Sequence, residues 1–248
     1  MNKTNKYSLS ILIISLLVIV PRQAYAMHIM EGFLPIKWAL FWFAISIPFI
    51  VLGIKKISKI TSENINMKML LGLCGAFVFV LSSLKLPSVT GSCSHPTGVG
   101  LSAVLFGPNV TSILALIALL FQALLLAHGG ISTLGANVFS MGIAGPVAAY
   151  LIFKLSNKSG LSKGISIFLA ASVGDLVTYI VTSIQLGIAF PAQVGGMMAS
   201  VGKFMGIFAI TQIPLAISEG LLTVIVYNLL TSYNSSDLQE LAIMKGEK

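Results

Sequence analysis

The segment Ala24-Tyr25-Ala26-Met27-His28-Ile29-Met30-Glu31-Gly32 holds the residues best suited to chemistry, and what they can do depends on where the mature chain begins. Upstream stand Lys3 and Lys6, an apolar run from Leu9 to Val20, Pro21, and the small-x-small pattern Ala24-Tyr25-Ala26. That order describes a secretory signal peptide with its cleavage site. Residues 1–26 are therefore expected to be removed, leaving Met27 as the new N-terminus. A free α-amine followed by histidine at the second position is a chelator. The amine of Met27, the deprotonated amide nitrogen of His28 and its ring Nδ1 close small rings around one ion. Nitrogen donors in one plane favour metals that accept square-planar or tetragonal coordination, such as Ni(II) and Cu(II); low-spin Co(II) accepts the same plane.

The chain has three histidines, His28, His95 and His128. His95 lies in Ser94-His95-Pro96-Thr97-Gly98, where Pro96 fixes the backbone, and it is the candidate for the remaining place in the plane. A metal-bound imidazole usually donates its other N–H to an oxygen, and Glu31, Ser92, Ser94 and Thr97 are the candidate partners. His128 opens a Gly129-Gly130 turn after an apolar helix, where it is either a helix-end residue or a contact on the entry path of the metal. Met27 and Met30 suggest a thioether site less well, because methionine in an apolar chain usually serves packing. Met27 is given a ligand role through its amine alone. Asp175 and Glu219 fall inside expected spans, where ionisable groups are costly and conspicuous; a helix-to-helix hydrogen bond, a cation relay and a partner contact are all open to them.

These residues need a scaffold, and composition says which kind. Of 248 residues 56% are hydrophobic and 9% charged, and the mean hydropathy is +0.96. Soluble domains carry roughly 25% charged residues, so the chain reads as a polytopic membrane protein. The net charge of +8 is not organised as a basic stripe interleaved with aromatics, which speaks against nucleic acid as a partner. Cys74 and Cys93 are too few for a disulfide framework and form no C-x-x-C pair.

Taken in order, apolar segments are expected from Ile36 to Ile54, Met67 to Leu84, Val99 to Phe106, Val110 to Ala127, Thr133 to Leu155, Leu161 to Leu186 and Lys203 to Leu230. This gives an all-α helical bundle of about seven transmembrane helices after signal removal. Residues 27–233 form the metal-binding domain and 234–248 a polar cytoplasmic tail. The lysines from Lys55 to Lys68 and from Lys154 to Lys163 then face the cytoplasm, as the positive-inside rule asks, and all three histidines lie towards the outer face of the cell membrane. The stretch from Val99 to Phe106 is short. It spans only if Ser94 to Gly98 also lie at membrane depth, where irregular backbone is tolerated against protein or a wet cavity, as at transporter binding sites.

Gly196 to Lys203 imitates a P-loop with one residue too many, and Phe204 replaces the required Ser or Thr. Without a Walker motif the chain cannot itself couple ATP hydrolysis. Neither H-E-x-x-H nor G-x-S-x-G is present, so hydrolase chemistry has no support. The expectation is a transport subunit rather than an enzyme, with no cofactor.

Five stretches, Met27 to Gly32, Ser94 to Gly98, Gln122 to Gly130, Leu134 to Asn137 and Ile213 to Gly220, resemble the metal-specific substrate-capture subunits of energy-coupling factor (ECF) transporters. The cobalt type, CbiM, is the nearest match, and the nickel type, NikM, is similar. The resemblance runs from Met27 to about Tyr233. It implies a seven-span subunit whose mature N-terminus threads back into the bundle, with the metal on the amine of Met27, the amide and ring of His28, and the ring of His95. It implies three partners: a small auxiliary membrane subunit, a transmembrane coupling subunit and an ATP-binding cassette ATPase. The ion implied is Co2+, supplied to cobalamin biosynthesis. Ni2+ import by the same kind of machine is the near alternative, and a stand-alone divalent-cation permease coupled through Asp175 and Glu219 the more distant one.

Overall fold

The structure is a computed structural model and describes residues 28–87 and 93–244. The signal segment 1–26, Met27 and Ser92 lie outside the described residues. The elements are α1 (Ile36–Glu63), α2 (Met67–Ser83), β1 (Leu86–Pro87), β2 (Cys93–Ser94), α3 (Val99–Phe106), α4 (Pro108–Leu125), α5 (Leu134–Lys158), α6 (Lys163–Ala189), α7 (Gly196–Tyr233) and α8 (Ser235–Met244).

The all-α membrane bundle stands. Five helices, α1, α4, α5, α6 and α7, are long and apolar enough to cross a membrane. The helix α2 has 17 residues, the lower edge of what a bilayer needs. The helix α3 has eight, roughly 12 Å of rise against a hydrocarbon layer of about 30 Å. All eight residues of α3 are buried. It lies inside the bundle against protein, where an irregular lead-in is tolerated.

The bundle holds a group of buried polar side chains within its apolar interior and turns large apolar side chains outward. His28, His95, Thr97, Asp175, Gln212 and Glu219 are buried, whereas Ile36, Leu125 and Met198 are each at least 70% exposed. That arrangement suits a hydrocarbon surround, where unsatisfied polar groups are expensive and lipid tails cost apolar side chains nothing.

Glycines at two contacts set how closely the helices approach. Gly100 of α3 lies against the backbone of Ala171 in α6, and Gly135 of α5 against that of Phe43 in α1; a Cβ at either would overlap its neighbour. Ser46 Oγ of α1 donates to the Gly135 carbonyl at 3.0 Å across the second contact. Small residues at such crossings are the usual means of tight packing in membranes.

Two boundaries differ from the sequence expectation. The last span begins at Gly196 rather than Lys203 and runs for 38 residues through Pro214, on the order of 57 Å, so it overshoots the bilayer. The polar tail is not a loose end. It forms α8, whose Leu241 and Leu238 pack against Ile60, Met67 and Leu230, while Asn64 donates to the Glu240 carboxylate. An i, i+3 apolar pair flanked by acids is a weak signal in so short a helix. The two-residue antiparallel pairing of β1 with β2 was equally silent in the sequence. Both cysteines are free thiols.

Candidate metal centre

Met27 lies outside the described residues, and the chain enters them at His28, which is buried. The next residue, Ile29, buries its side chain among Leu34, Trp42, Ala136, Tyr179, Leu186 and Phe208. Removing such a side chain from water is worth about 1.5–3 kcal/mol, enough to draw the segment inward. Its backbone is then held from three sides. Ile29 N–H donates to Asn137 Oδ1 at 2.8 Å, and its carbonyl accepts from Asn137 Nδ2 at 3.0 Å and from Thr133 Oγ1 at 2.6 Å. Glu31 N–H donates to the Gly129 carbonyl at 3.2 Å. Gly32 N–H donates to Ser132 Oγ at 2.9 Å, and Ser132 N–H returns to Glu31 Oε2 at 3.1 Å. The hydrogen bonds of Ser132 hold the exposed Glu31 carboxyl below its ordinary range. Gly130 lies directly over Glu31, where a Cβ would overlap the Glu31 backbone.

His95 comes from a different direction. Its loop turns into α3 at Gly98, whose φ is +71°; a Cβ there would press on the Phe77 carbonyl and the Val78 Cα of α2. Glycine is needed on both counts. Two buried acids hold the loop from behind. Glu219 of α7 accepts from Thr97 Oγ1 at 2.9 Å, from Gly98 N–H at 2.9 Å and from Thr97 N–H. Gln212 Nε2 donates to the His95 carbonyl at 3.1 Å and to both carboxylate oxygens of Asp175, at 2.9 and 2.7 Å. The loop is thus bolted to α6 and α7 through side chains facing it.

His128 closes the third side. At the end of α4 the chain turns through Ala127 with a φ of +46°, unique among the described non-glycine residues. His128 N–H then donates to the Gln122 carbonyl at 3.1 Å. Gln122 is itself fixed by Ser82 Oγ at 2.6 Å.

These elements bring the three imidazoles together. Ring centroids are 4.2 Å apart for His28 and His95, 4.6 Å for His28 and His128, and 5.1 Å for His95 and His128. One ligand nitrogen from each lies within 4.8 Å of the others. Each ring presents a buried nitrogen with no hydrogen-bond partner: Nδ1 of His28, Nε2 of His95 and Nε2 of His128. The other nitrogen of two rings is occupied. His28 Nε2 meets Met141 Sδ at 3.2 Å, and His95 Nδ1 meets the Pro96 carbonyl at 3.0 Å. If those two nitrogens carry the protons, the lone pairs of His28 Nδ1 and His95 Nε2 point at the shared space. Fixing the tautomer through the far nitrogen is how metal-binding histidines are set.

The other candidates stand elsewhere. Glu31 serves Ser132, Ser94 Oγ bonds Thr211 Oγ1 at 2.7 Å, and Thr97 serves Glu219. The far nitrogens of His28 and His95 are met by Met141 and the Pro96 carbonyl instead. Sequence reasoning missed Met141, Asn137 and Gln212 as parts of the site. Met141 lies in a π-helical stretch of α5, Val138–Ala144. Pro146 has no N–H for the Gly142 carbonyl, and its ring crowds that carbonyl, so the preceding turn widens. Such π-turns occur frequently at functional sites, and the Gly142-x-x-Gly145-Pro146 spacing was the signal available.

A model described as the CbiM cobalt uptake substrate-specific transmembrane region matches residues 28–236. The chain belongs to the CbiM family. Its similarity to CbiM proteins is high. It is 63% identical over 226 residues to the cobalt transport protein CbiM of Moorella thermoacetica, covering 91% of this chain and 87% of that one. It is 64% identical over 218 residues to CbiM of Acetoanaerobium sticklandii, covering 88% and 90%. A crystal structure of a truncated transition metal transporter superposes with a TM-score of 0.72 at 27% identity, over 83% of this chain and 99% of that one.

Proposed function

We propose that this CbiM-family chain is the metal-capturing membrane subunit of an ATP-driven energy-coupling factor importer for Co2+. The observation that carries the reading is the pair of orphaned buried nitrogens, His28 Nδ1 and His95 Nε2, in adjacent rings whose far nitrogens are engaged. Orphaned buried polar atoms are rare and call for an explanation. A cation between them supplies it. After signal cleavage the Met27 amine and the His28 amide nitrogen complete the plane. Ile29 then acts as the anchor, and Asn137 and Thr133 hold the segment so that its first two residues meet His95.

The name carried by the similar proteins supports cobalt. A plane of nitrogens suits Ni(II) as well, so nickel import is the second reading. Capture from the outer face, a cytoplasmic C-terminus, an auxiliary subunit, a coupling subunit and a separate ATPase, and delivery to cobalamin synthesis complete the proposal. A stand-alone permease is less well supported, because Asp175 and Glu219 are already engaged by Gln212 and by the Thr97-Gly98 backbone. A metalloenzyme needs an open coordination position and a general base, and a nitrogen-filled plane offers neither.

The test is metal content. Protein purified from cobalt-supplied cells should retain about one equivalent of ion, and His28→Ala or His95→Ala should each lose it while the helical content is unchanged. Wild-type loading in either variant would refute the site.

A further inference from the structure

We propose that the buried carboxyls of Asp175 and Glu219 hold a single proton between them, carried by Asp175, so that Asp175 acts as a positioning residue for the His95 loop through Glu219 and Gln212. The pair lies behind that loop, and its proton can be read with no ion at the histidines.

Both side chains are wholly buried, Asp175 in α6 and Glu219 in α7, and their carboxyl groups are within hydrogen-bond reach of each other. Neither is paired with a cation: among the described residues the one ion pair is Lys59 with Glu63, at the surface. Two carboxylates that share a site without a counter-charge cannot both ionise, and the membrane makes a second charge costlier still. The pair therefore keeps a proton.

The hydrogen bonds say which acid carries it. Thr97 N–H meets Glu219 Oε2, and Gly98 N–H meets Oε1 at 2.9 Å. Backbone N–H groups only donate, so both oxygens present lone pairs to the loop. Thr97 Oγ1 adds a third donor at 2.9 Å, and a carboxylate with two or three such donors holds its charge. Asp175 is supplied more thinly. Gln212 Nε2 lies 2.9 and 2.7 Å from its two oxygens and 3.1 Å from the His95 carbonyl. That carbonyl only accepts, so it fixes the Gln212 amide with its NH2 turned this way. Two hydrogens then serve three acceptors. A hydroxyl on Asp175 resolves the shortage, because it donates to Glu219 while the other oxygen accepts from Gln212. The outcome is one continuous chain, Gln212 to Asp175 to Glu219 to the Thr97-Gly98 backbone, which grips the loop with a single buried charge.

Infrared spectroscopy of the full chain in lipid bilayers, in neutral buffer without added metal, reads the proton. The chain has only seven acids, so the carboxylic C=O region is sparse. A protonated-carboxyl band is expected there. Labelling with 13C-aspartate should move it to lower frequency, and 13C-glutamate should leave it. The aspartates are Asp175 and Asp237 alone; Asp237→Asn should keep the band and Asp175→Asn should abolish it. Glu219→Gln should shift it, because the acceptor of the Asp175 hydroxyl changes. Glu219→Gln should also speed hydrogen exchange at Gly98 more than Asp175→Asn does, since an NH2 at position 219 would oppose the loop N–H groups while an amide at position 175 still donates to Glu219. The two labelled wild-type spectra decide even if a variant fails to fold. Absence of the band, a band that follows the glutamate label, or faster exchange in Asp175→Asn than in Glu219→Gln would overturn the assignment. Every readout is taken without metal, so its failure leaves the metal site standing, and loss of the metal site leaves the shared proton standing.

Discussion

Asn137 pairs both faces of its side-chain amide with the backbone of Ile29, accepting from its N–H at 2.8 Å and donating to its carbonyl at 3.0 Å. This is how a strand would be read by a neighbouring strand, here done by one side chain at the start of a helix. It fixes the residue directly after the candidate ligand His28, so an error at Asn137 is passed to the metal.

Asn137→Ala should therefore weaken metal retention without unfolding the bundle. It leaves the Ile29 N–H unpaired, at a cost of about 1–3 kcal/mol for a buried group, or roughly one to two orders of magnitude in affinity. Asn137→Asp should be worse, because its second oxygen would face the Ile29 carbonyl. Isothermal titration with Co(II) in detergent, beside circular dichroism, checks both.

Gly130→Ala should act at the same place by steric means. The added Cβ overlaps the Glu31 backbone, so the segment must lift away. Faster hydrogen exchange at Ile29 and Glu31, with little change in the helices, is the expected result; unchanged exchange would show that the segment is not held against this turn.

Glu219→Ala should release the loop carrying His95. It removes the acceptor of Thr97 Oγ1, Thr97 N–H and Gly98 N–H, each worth about 1–3 kcal/mol when left buried and unpaired. A lower melting temperature together with weaker metal binding is expected. Gln212→Leu, which strips the His95 carbonyl and Asp175 of their donor, should reproduce the binding defect.

The Glu31 carboxyl gives the docked segment a dependence on pH. Ser132 holds its pKa below the ordinary 4.5. A lowered carboxyl pKa contributes stability that is full above the ordinary value and lost as pH falls through the depressed one. Protection of the segment should thus fade on acidification below about pH 4.5, and Glu31→Gln should flatten that decline. Equal decline in both proteins would assign the effect to other groups.

The sequence was most informative where chemistry is local. His28, and His95 beside Pro96 and Gly98, stand out within a few residues of sequence, and the structure brings their rings together. Composition announced the membrane as firmly. What escaped were relations made by tertiary packing. Nothing local says that Asn137 reads Ile29 from 108 residues away, or that Glu219 reaches back 122 residues to Thr97. Glu219 was visible as an intramembrane acid, but its partner was a backbone, which has no sequence signature. That all eight residues of α3 are buried was not legible either, because apolar residues look alike whether they face lipid or protein. The widened turn of α5 depends on how Pro146 meets the Gly142 carbonyl, so Met141 looked like ordinary core.

The most direct test of the central claim is to determine the N-terminus and the bound metal of the same membrane-purified preparation, by intact-protein and elemental mass spectrometry. The account predicts a chain that begins at Met27 and carries one cobalt ion. Inserting one residue between Ala26 and Met27 moves His28 to the third position, where the amine, two amide nitrogens and the His28 ring can fill a plane by themselves, so metal retention should then no longer depend on His95. Metal bound to a chain that still carries residues 1–26 would contradict it, because the amine of Met27 would then be tied up in a peptide bond and unable to act as a ligand.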